Sequence, residues 1–129
     1  TMPVSGLPPY DDGNIFARIL RGELPAKTIH EDEWAVAFHD IAPQAPVHVL
    51  VIPRGRYVSL ADFAGKASEA EIAGFWRAVA KVARDLGLEQ PGYRTLSNMG
   101  ENAGQEVPHF HVHLFGGRPL GRMLSPAEG

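Results

Sequence analysis

The segment from Gly104 to Gly117 carries a strict two-residue period: His109, His111 and His113 alternate with Phe110, Val112 and Leu114. Successive side chains of a β-strand point to opposite faces. A strand over 108–115 therefore turns three imidazoles to one side and the apolar side chains to the other. The apolar side needs a core to pack against, so the chain must build a sheet with at least one covered face. Half of the six histidines fall within these five residues. Lys, Thr or Glu would serve a merely solvated face equally well, so the imidazoles are read as a site.

The rest of the chain supplies the partners of that strand. Asn14 can cap a short helix over 15–21, with Ile15, Phe16, Ile19 and Leu20 at helical spacing. Gly22 and Pro25 end it. Strand patterns follow over 27–31, 34–39 and 47–52, the last rich in β-branched residues, with Pro43 and Pro46 between the second and third. Ser68 and Glu71 form a capping box that opens the clearest helix, 68–86. Ile72, Phe75, Trp76, Val79, Ala80, Val82, Ala83 and Leu86 make its apolar face, and Gly87 ends it. Residues 93–98 read as a fourth strand and 99–105 as a glycine-rich turn before the fifth. Strands grouped on either side of one long helix indicate an α+β fold with helices on an antiparallel sheet. Residues 1–13, rich in Pro, Gly and Asp, read as a flexible arm. Residues 14–129 then form a single domain with a short C-terminal tail, and no repeat or second boundary is visible.

Composition narrows the function. The chain has 129 residues, 44% hydrophobic and 21% charged, which suits one folded domain. A net charge of -3 gives no electrostatic reason to bind a nucleic-acid backbone. There is no basic-then-apolar leader and no run near the roughly 20 apolar residues that span a bilayer. A cytoplasmic protein with neither nucleic-acid nor membrane partners is expected. The absence of cysteine excludes disulfides, thiolate zinc sites and a cysteine nucleophile.

Two chemistries compete for the histidines. Positions 109 and 113 of a strand lie roughly 13 Å apart at about 3.3 Å per residue. A Zn–N bond is only about 2.0–2.1 Å, so three such rings converge poorly on one ion. Two of them with a remote ligand could still bind, and we expect no required metal. The second chemistry is phosphoryl transfer. A neutral imidazole, with an ordinary pKa of about 6.5, is a competent nucleophile. His111, the central ring, can attack phosphorus while its neighbours and the backbone N–H groups of the turn 100–105 hold the phosphate oxygens.

Gly104-Gln105-x-Val107-x-His109-x-His111-x-His113 resembles the signature of the histidine-triad (HIT) nucleotide-binding hydrolases and transferases. Asn14-Ile15-Phe16, the segments 22–27, 38–46 and 48–53, and Gly116-Gly117-Arg118-Pro119-Leu120-Gly121 are similar to the Hint branch of that family, the last to its bacterial members. The resemblance runs from about residue 14 to 124. It implies a HIT-like fold: a five-stranded antiparallel sheet with two helices, one long and one short. It implies a homodimer with the long helix and a strand at the interface, where Phe75 and Trp76 would serve contact or core.

The resemblance also assigns roles by matching position. His111 would be the nucleophile and form a nucleotidyl-histidine intermediate. His113 would contact the phosphate, His109 would orient the nucleophilic ring, and His48 would stand nearby as a fourth histidine. Asn98, Gly104, Gln105 and Glu106 would surround the phosphate. Asp40 would accept hydrogen bonds from the ribose, and Ile15, Phe16, Ile19, Phe38 and Ile41 would enclose the base. Glu106 stands where eukaryotic relatives carry Ser; a carboxylate can protonate a leaving group only in its acid form, and Glu106 is the candidate donor. His30 and His39 receive no catalytic role. The implied reaction is hydrolysis of the P–N bond of purine nucleoside 5′-phosphoramidates, with aminoacyl-adenylates as related substrates and no required cofactor. The alternatives are hydrolysis of dinucleoside polyphosphates, or nucleotide sensing or partner binding with incidental hydrolysis.

Overall fold

The computed structural model describes residues 2–126; Thr1 of the expected arm and residues 127–129 of the expected tail lie outside the described residues. In chain order the elements are α1 (Ile15–Leu20), β1 (Thr28–Glu31), β2 (Ala35–His39), β3 (Val47–Pro53), α2 (Leu60–Lys66), α3 (Glu69–Asp85), β4 (Arg94–Leu96) and β5 (Val112–Gly116). The five strands form one antiparallel sheet in the order β1-β2-β3-β5-β4. The α+β fold with a five-stranded antiparallel sheet is thus observed as expected.

Side-chain alternation divides the apolar residues between two faces. Ala35 and Ala37 of β2, Val49 and Val51 of β3, and Val112 and Leu114 of β5 pack against Phe63 of α2 and Phe75, Ala78, Val79, Val82 and Ala83 of α3. Val36, Phe38, Leu50 and Ile52 face the other way and meet Phe16 of α1, with Ile19 and Leu20 beside it. β2 and β3 are therefore buried on both faces, which is why their sequences read as continuous apolar runs. His48, His111 and His113 share the second face with Phe16 and Leu50.

The capping box at α3 forms as the sequence predicts. The Glu71 backbone N–H donates to Ser68 Oγ (3.1 Å), and the Ser68 N–H donates to Glu71 Oε1 (3.2 Å). Asn14 caps α1 by accepting the Ala17 N–H at 2.9 Å.

Three differences from the sequence reading have physical causes. The sequence predicts two helices, and α2 is a third. It has only seven residues, with Gly65 inside, and buries just Asp62 and Phe63, so no helical stripe is legible. Tertiary packing holds it: the Phe63 ring stacks on Phe110 at 4.8 Å and meets Phe75 edge-on at 5.3 Å. The second difference is β5, which begins at Val112 rather than at 108. Pro108 has no N–H to give a ladder, and the Phe110 N–H donates to the Tyr57 carbonyl at 2.7 Å, not to β3. The alternation of faces nevertheless persists upstream, because Phe110 enters the same core as Val112 and Leu114.

The third difference is the expected flexible arm. Residues 2–13 lie along the fold instead. The Val4 N–H donates to the Gln105 carbonyl at 2.8 Å. Tyr10 Oη lies 2.6 Å from His109 Nδ1, and Arg56 grips the Asp12 carboxylate with two bonds of 2.8 Å. A segment rich in Pro and Gly carries no periodicity, so such tertiary partners leave no local signal in the sequence.

Candidate active site

The face of the sheet shared by α1 and the histidines opens into a cleft of about 710 Å³. It is bounded by α1, the end of β2, the loop before β3, and the segment leading into β5. Every residue expected to touch a nucleotide lines it: Ile15, Phe16, Ile19, Phe38, Asp40, Ile41, Asn98, Gly104, Gln105, Glu106, His111 and His113. Their positions are unequal. Phe16 and Phe38 are buried and meet edge-on at 5.6 Å, forming an aromatic wall. Ile15 is half exposed and Ile41 is 99% exposed, so Ile41 stands at the rim rather than in the interior. The cleft also takes in Leu24, Pro25, Ala26, Leu50 and Val107, which the sequence reading did not place there. For Leu50 a signal existed: it shares the two-residue period of β3 with His48, which set it on the histidine face.

Backbone and side-chain partners fix the proton on each imidazole. His111 Nδ1 lies 2.7 Å from the His109 carbonyl oxygen, which can only accept. His111 therefore carries its proton on Nδ1, and the lone pair stands on Nε2. His109 Nε2 donates to the Pro53 carbonyl at 2.9 Å, leaving Nδ1 to accept from the Tyr10 hydroxyl. The Gln44 backbone N–H donates to His48 Nδ1 at 3.1 Å, which places the proton of His48 on Nε2. That Nε2–H donates to His113 Nδ1 at 2.9 Å, with Asp40 Oδ2 also near it at 3.4 Å. His113 in turn keeps its proton on Nε2, as a donor for the cleft it lines. These assignments hold for neutral rings, and burial keeps them neutral. It pushes His109 down to about 4 and, aided by the neighbouring imidazoles His111 and His48, His113 to about 4 as well. Burial likewise lowers His111, against the raising influence of the His109 carbonyl, Asp40 and Glu106, and lowers His48 against that of Asp40.

The division of the triad has a structural basis. His109 is wholly buried and does not line the cleft. Its ring is tied to β3 and to the N-terminal segment, and its carbonyl steers His111. The His111 ring meets the Phe16 ring edge-on at 4.9 Å and the His113 ring at 5.1 Å. His48 sits opposite Phe115 in the β3–β5 register and reaches His113 diagonally on the same face. His30, by contrast, pairs with Asp32 at 2.8 Å, away from the cleft.

The glycine-rich turn offers fewer anion donors than the sequence suggests. The N–H groups of Gly104 and Gln105 are taken by the carbonyls of Glu101 and Gly100, and the Gly100 N–H by Gln105 Oε1. The buried Gln105 side chain bolts the turn down: its Nε2 donates to the carbonyls of Val58 and Val107 at 2.8 and 3.1 Å. Among the described residues, the Glu106 backbone N–H and the Asn98 side-chain amide have no hydrogen-bond partner. With His113 Nε2–H they are donors that the cleft can offer an anion. Gly104 holds φ +71°, where an added Cβ would touch nothing within 4 Å; glycine is demanded by the backbone there, not by space.

Asp40, His48 and His113 bring one ligand atom each within 4.8 Å of one another, a spacing that a metal ion could use. The donor set argues against it. A ligating histidine normally donates from its other ring nitrogen, whereas His48 Nδ1 accepts the Gln44 N–H. Its Nε2 therefore bears the proton that a metal would have to displace, and binding would cost the Gln44 bond.

Comparison with known proteins places this geometry. A family model described as the HIT domain matches residues 21–120. An uncharacterized 13.2 kDa HIT-like protein of Azospirillum brasilense is 62% identical over 116 residues, covering 90% of this chain and 95% of that one. The purine nucleoside phosphoramidase of Escherichia coli is 40% identical over 111 residues, covering 86% and 92%. Among solved structures, a histidine triad protein from Clostridium difficile matches with a TM-score of 0.78 at 35% identity, covering 85% of this chain and 95% of that one. A HIT family hydrolase from Legionella pneumophila matches with a TM-score of 0.77 at 39% identity, covering 82% and 94%.

Proposed function

The chain belongs to the HIT domain family, and from that premise we propose that it hydrolyses the P–N bond of nucleoside 5′-phosphoramidates, purine ones by preference, through a nucleotidyl-histidine intermediate. The observation that carries this reading is the His111 Nδ1–H donated to its own chain at His109. It leaves a lone pair on Nε2 of a ring that lines a nucleotide-sized cleft.

The steps follow from the donors. Phe16, Phe38 and Ile19 enclose the base, and Asp40 accepts from the ribose hydroxyls. His113 Nε2–H, the Glu106 N–H and Asn98 hold the phosphate oxygens and offset the charge that builds at phosphorus. His111 Nε2 forms a bond to phosphorus as the P–N bond breaks, and the amine leaves with its electron pair and takes up a proton. Water then attacks the nucleotidyl-histidine, gives a proton to the Glu106 carboxylate left by the first step, and breaks the N–P bond. Nucleoside monophosphate departs, and His111 regains its lone pair. Glu106, at the cleft wall, is the proposed proton donor to the amine. These groups supply attack, grip and protonation without a metal, so full activity is expected after exhaustive chelation.

We also propose that the protein works as a homodimer through the outer side of α3. Trp76 is 41% exposed there. A groove lined by Trp34, Ala70, Gly74, Arg77 and Lys81 runs along the same helix. Light scattering at micromolar concentration tests this.

The decisive experiment for the reaction is rapid quenching with labelled adenosine phosphoramidate. A labelled adduct on His111 is expected before product appears. Turnover without an adduct would mean direct attack by water. Faster turnover of diadenosine polyphosphates than of the phosphoramidate would replace the proposed substrate class.

A further inference from the structure

We infer that Tyr10 is a positioning residue for this reaction, its hydroxyl donating to the buried Nδ1 of His109 and so holding the residue whose backbone carbonyl orients His111. The inference rests on the phosphoramidate reading for its consequence, but its geometry stands apart from it.

His109 is the one member of the triad with no exposed surface. Both its ring nitrogens are satisfied from distant parts of the chain: Nε2 by the Pro53 carbonyl and Nδ1 by Tyr10 Oη at 2.6 Å. The carbonyl of Pro53 accepts only, so the neutral ring has just one tautomer that uses both partners. Without the hydroxyl, the Nδ1 lone pair would be buried with nothing to accept from, a costly arrangement that rotation of the ring would relieve. A turned ring gives up its bond to Pro53, which ties the His109 backbone to β3, and the carbonyl on that backbone is the acceptor for His111 Nδ1–H.

Tyr10 is itself held. Its ring meets His109 edge-on at 5.6 Å, and Arg56 lies 5.1 Å above it while gripping Asp12. Val4, six residues earlier, donates to the Gln105 carbonyl. The N-terminal segment thus clasps the turn before the triad at one point and the first triad ring at the other. A phenyl ring would fill the same space, so the hydroxyl is the part with a role beyond packing.

Tyr10→Phe separates the two. The expected result is a fall in kcat of about tenfold with KM within about twofold, since orientation of the nucleophile and not nucleotide grip is lost. The thermal midpoint should drop by only a few degrees, about what one hydrogen bond gives. Nitrogen-15 spectra of the imidazoles give a second readout that needs no substrate: His109 should be an Nε2–H tautomer in the wild type, and in Tyr10→Phe its unprotonated Nδ1 should shift toward the resonance of an imine nitrogen that accepts no hydrogen bond. A variant as fast as the wild type, or a wild-type His109 protonated on Nδ1, overturns the role of Tyr10. A wild type that leaves phosphoramidates intact while His109 keeps its tautomer overturns the proposed reaction instead.

Discussion

His111 donates its Nδ1–H to the backbone carbonyl of His109 at 2.7 Å, two residues back in the segment that leads into β5. The bond orients the ring with no second side chain, and it leaves Nε2 as the nucleophilic atom. Attack requires the neutral ring, and burial lowers the His111 pKa below its ordinary 6.5. The sign follows: protonation removes the lone pair, so kcat/KM must fall on the acid side, at a pH below 6.5. A pH profile of the free enzyme with a phosphoramidate substrate checks this. An acid limb at or above 6.5 would assign the titration to another group.

His48 acts one bond further out. Its Nε2–H on His113 Nδ1 depends on the Gln44 N–H that occupies its other nitrogen. His48→Phe keeps an aromatic ring against Phe115, whose centroid lies 4.2 Å away, but removes that donor. His113 Nδ1 then has no partner, and the proton is free to move off Nε2, where the phosphate needs it. We expect kcat/KM to fall about tenfold, the worth of one well-placed hydrogen bond. Unchanged kcat/KM in a folded variant would remove the relay from the mechanism.

Burying neutral imidazoles also ties stability to pH. The folded pKa of His109 is depressed to about 4, while in the unfolded chain it is near 6.5. Between those values the unfolded state binds more protons, so its share of stability is intact above pH 6.5 and lost as pH falls toward 4. For this fully buried ring the loss is about 3 kcal/mol at most. His113, likewise lowered to about 4, acts in the same direction. Urea unfolding at pH 7 and pH 4 should show the loss, and equal midpoints would contradict it.

How much of this was legible in the sequence depended on range. The two-residue period from Phe110 to Leu114 put Phe110, Val112 and Leu114 in the core and His111 and His113 on the cleft face, because alternation is a local property of extended chain. The Ser68–Glu71 capping box was readable for the same reason. The contacts that give each imidazole its tautomer were not. Tyr10 and His109 are 99 residues apart, and His48 and His113 are 65 apart. Gln105 shows the limit of motif reading: it lies where the phosphate was expected, yet its side chain is spent on Val58 and Val107. Two N–H groups of the glycine-rich turn close the turn on itself, which moves the anion donors to Glu106, Asn98 and His113.

Glu106 provides the sharpest remaining test of how the amine leaves. It lines the cleft, and its charge raises the His111 pKa, so it lies within electrostatic reach of the nucleophile. Glu106→Gln keeps the size and the backbone N–H while removing the carboxyl group. If Glu106 protonates the leaving amine, kcat should fall by about a hundredfold, within the range for loss of a general acid. Nucleotide affinity should hold or tighten slightly, because one negative charge near the phosphate is gone. The acid limb of kcat/KM should also move lower, since Glu106 no longer supports the protonated form of His111. An affinity loss matching the rate loss would make Glu106 a binding residue. A shifted limb with unchanged kcat would leave it an electrostatic neighbour only, and solvent water would then be the proton source for the amine.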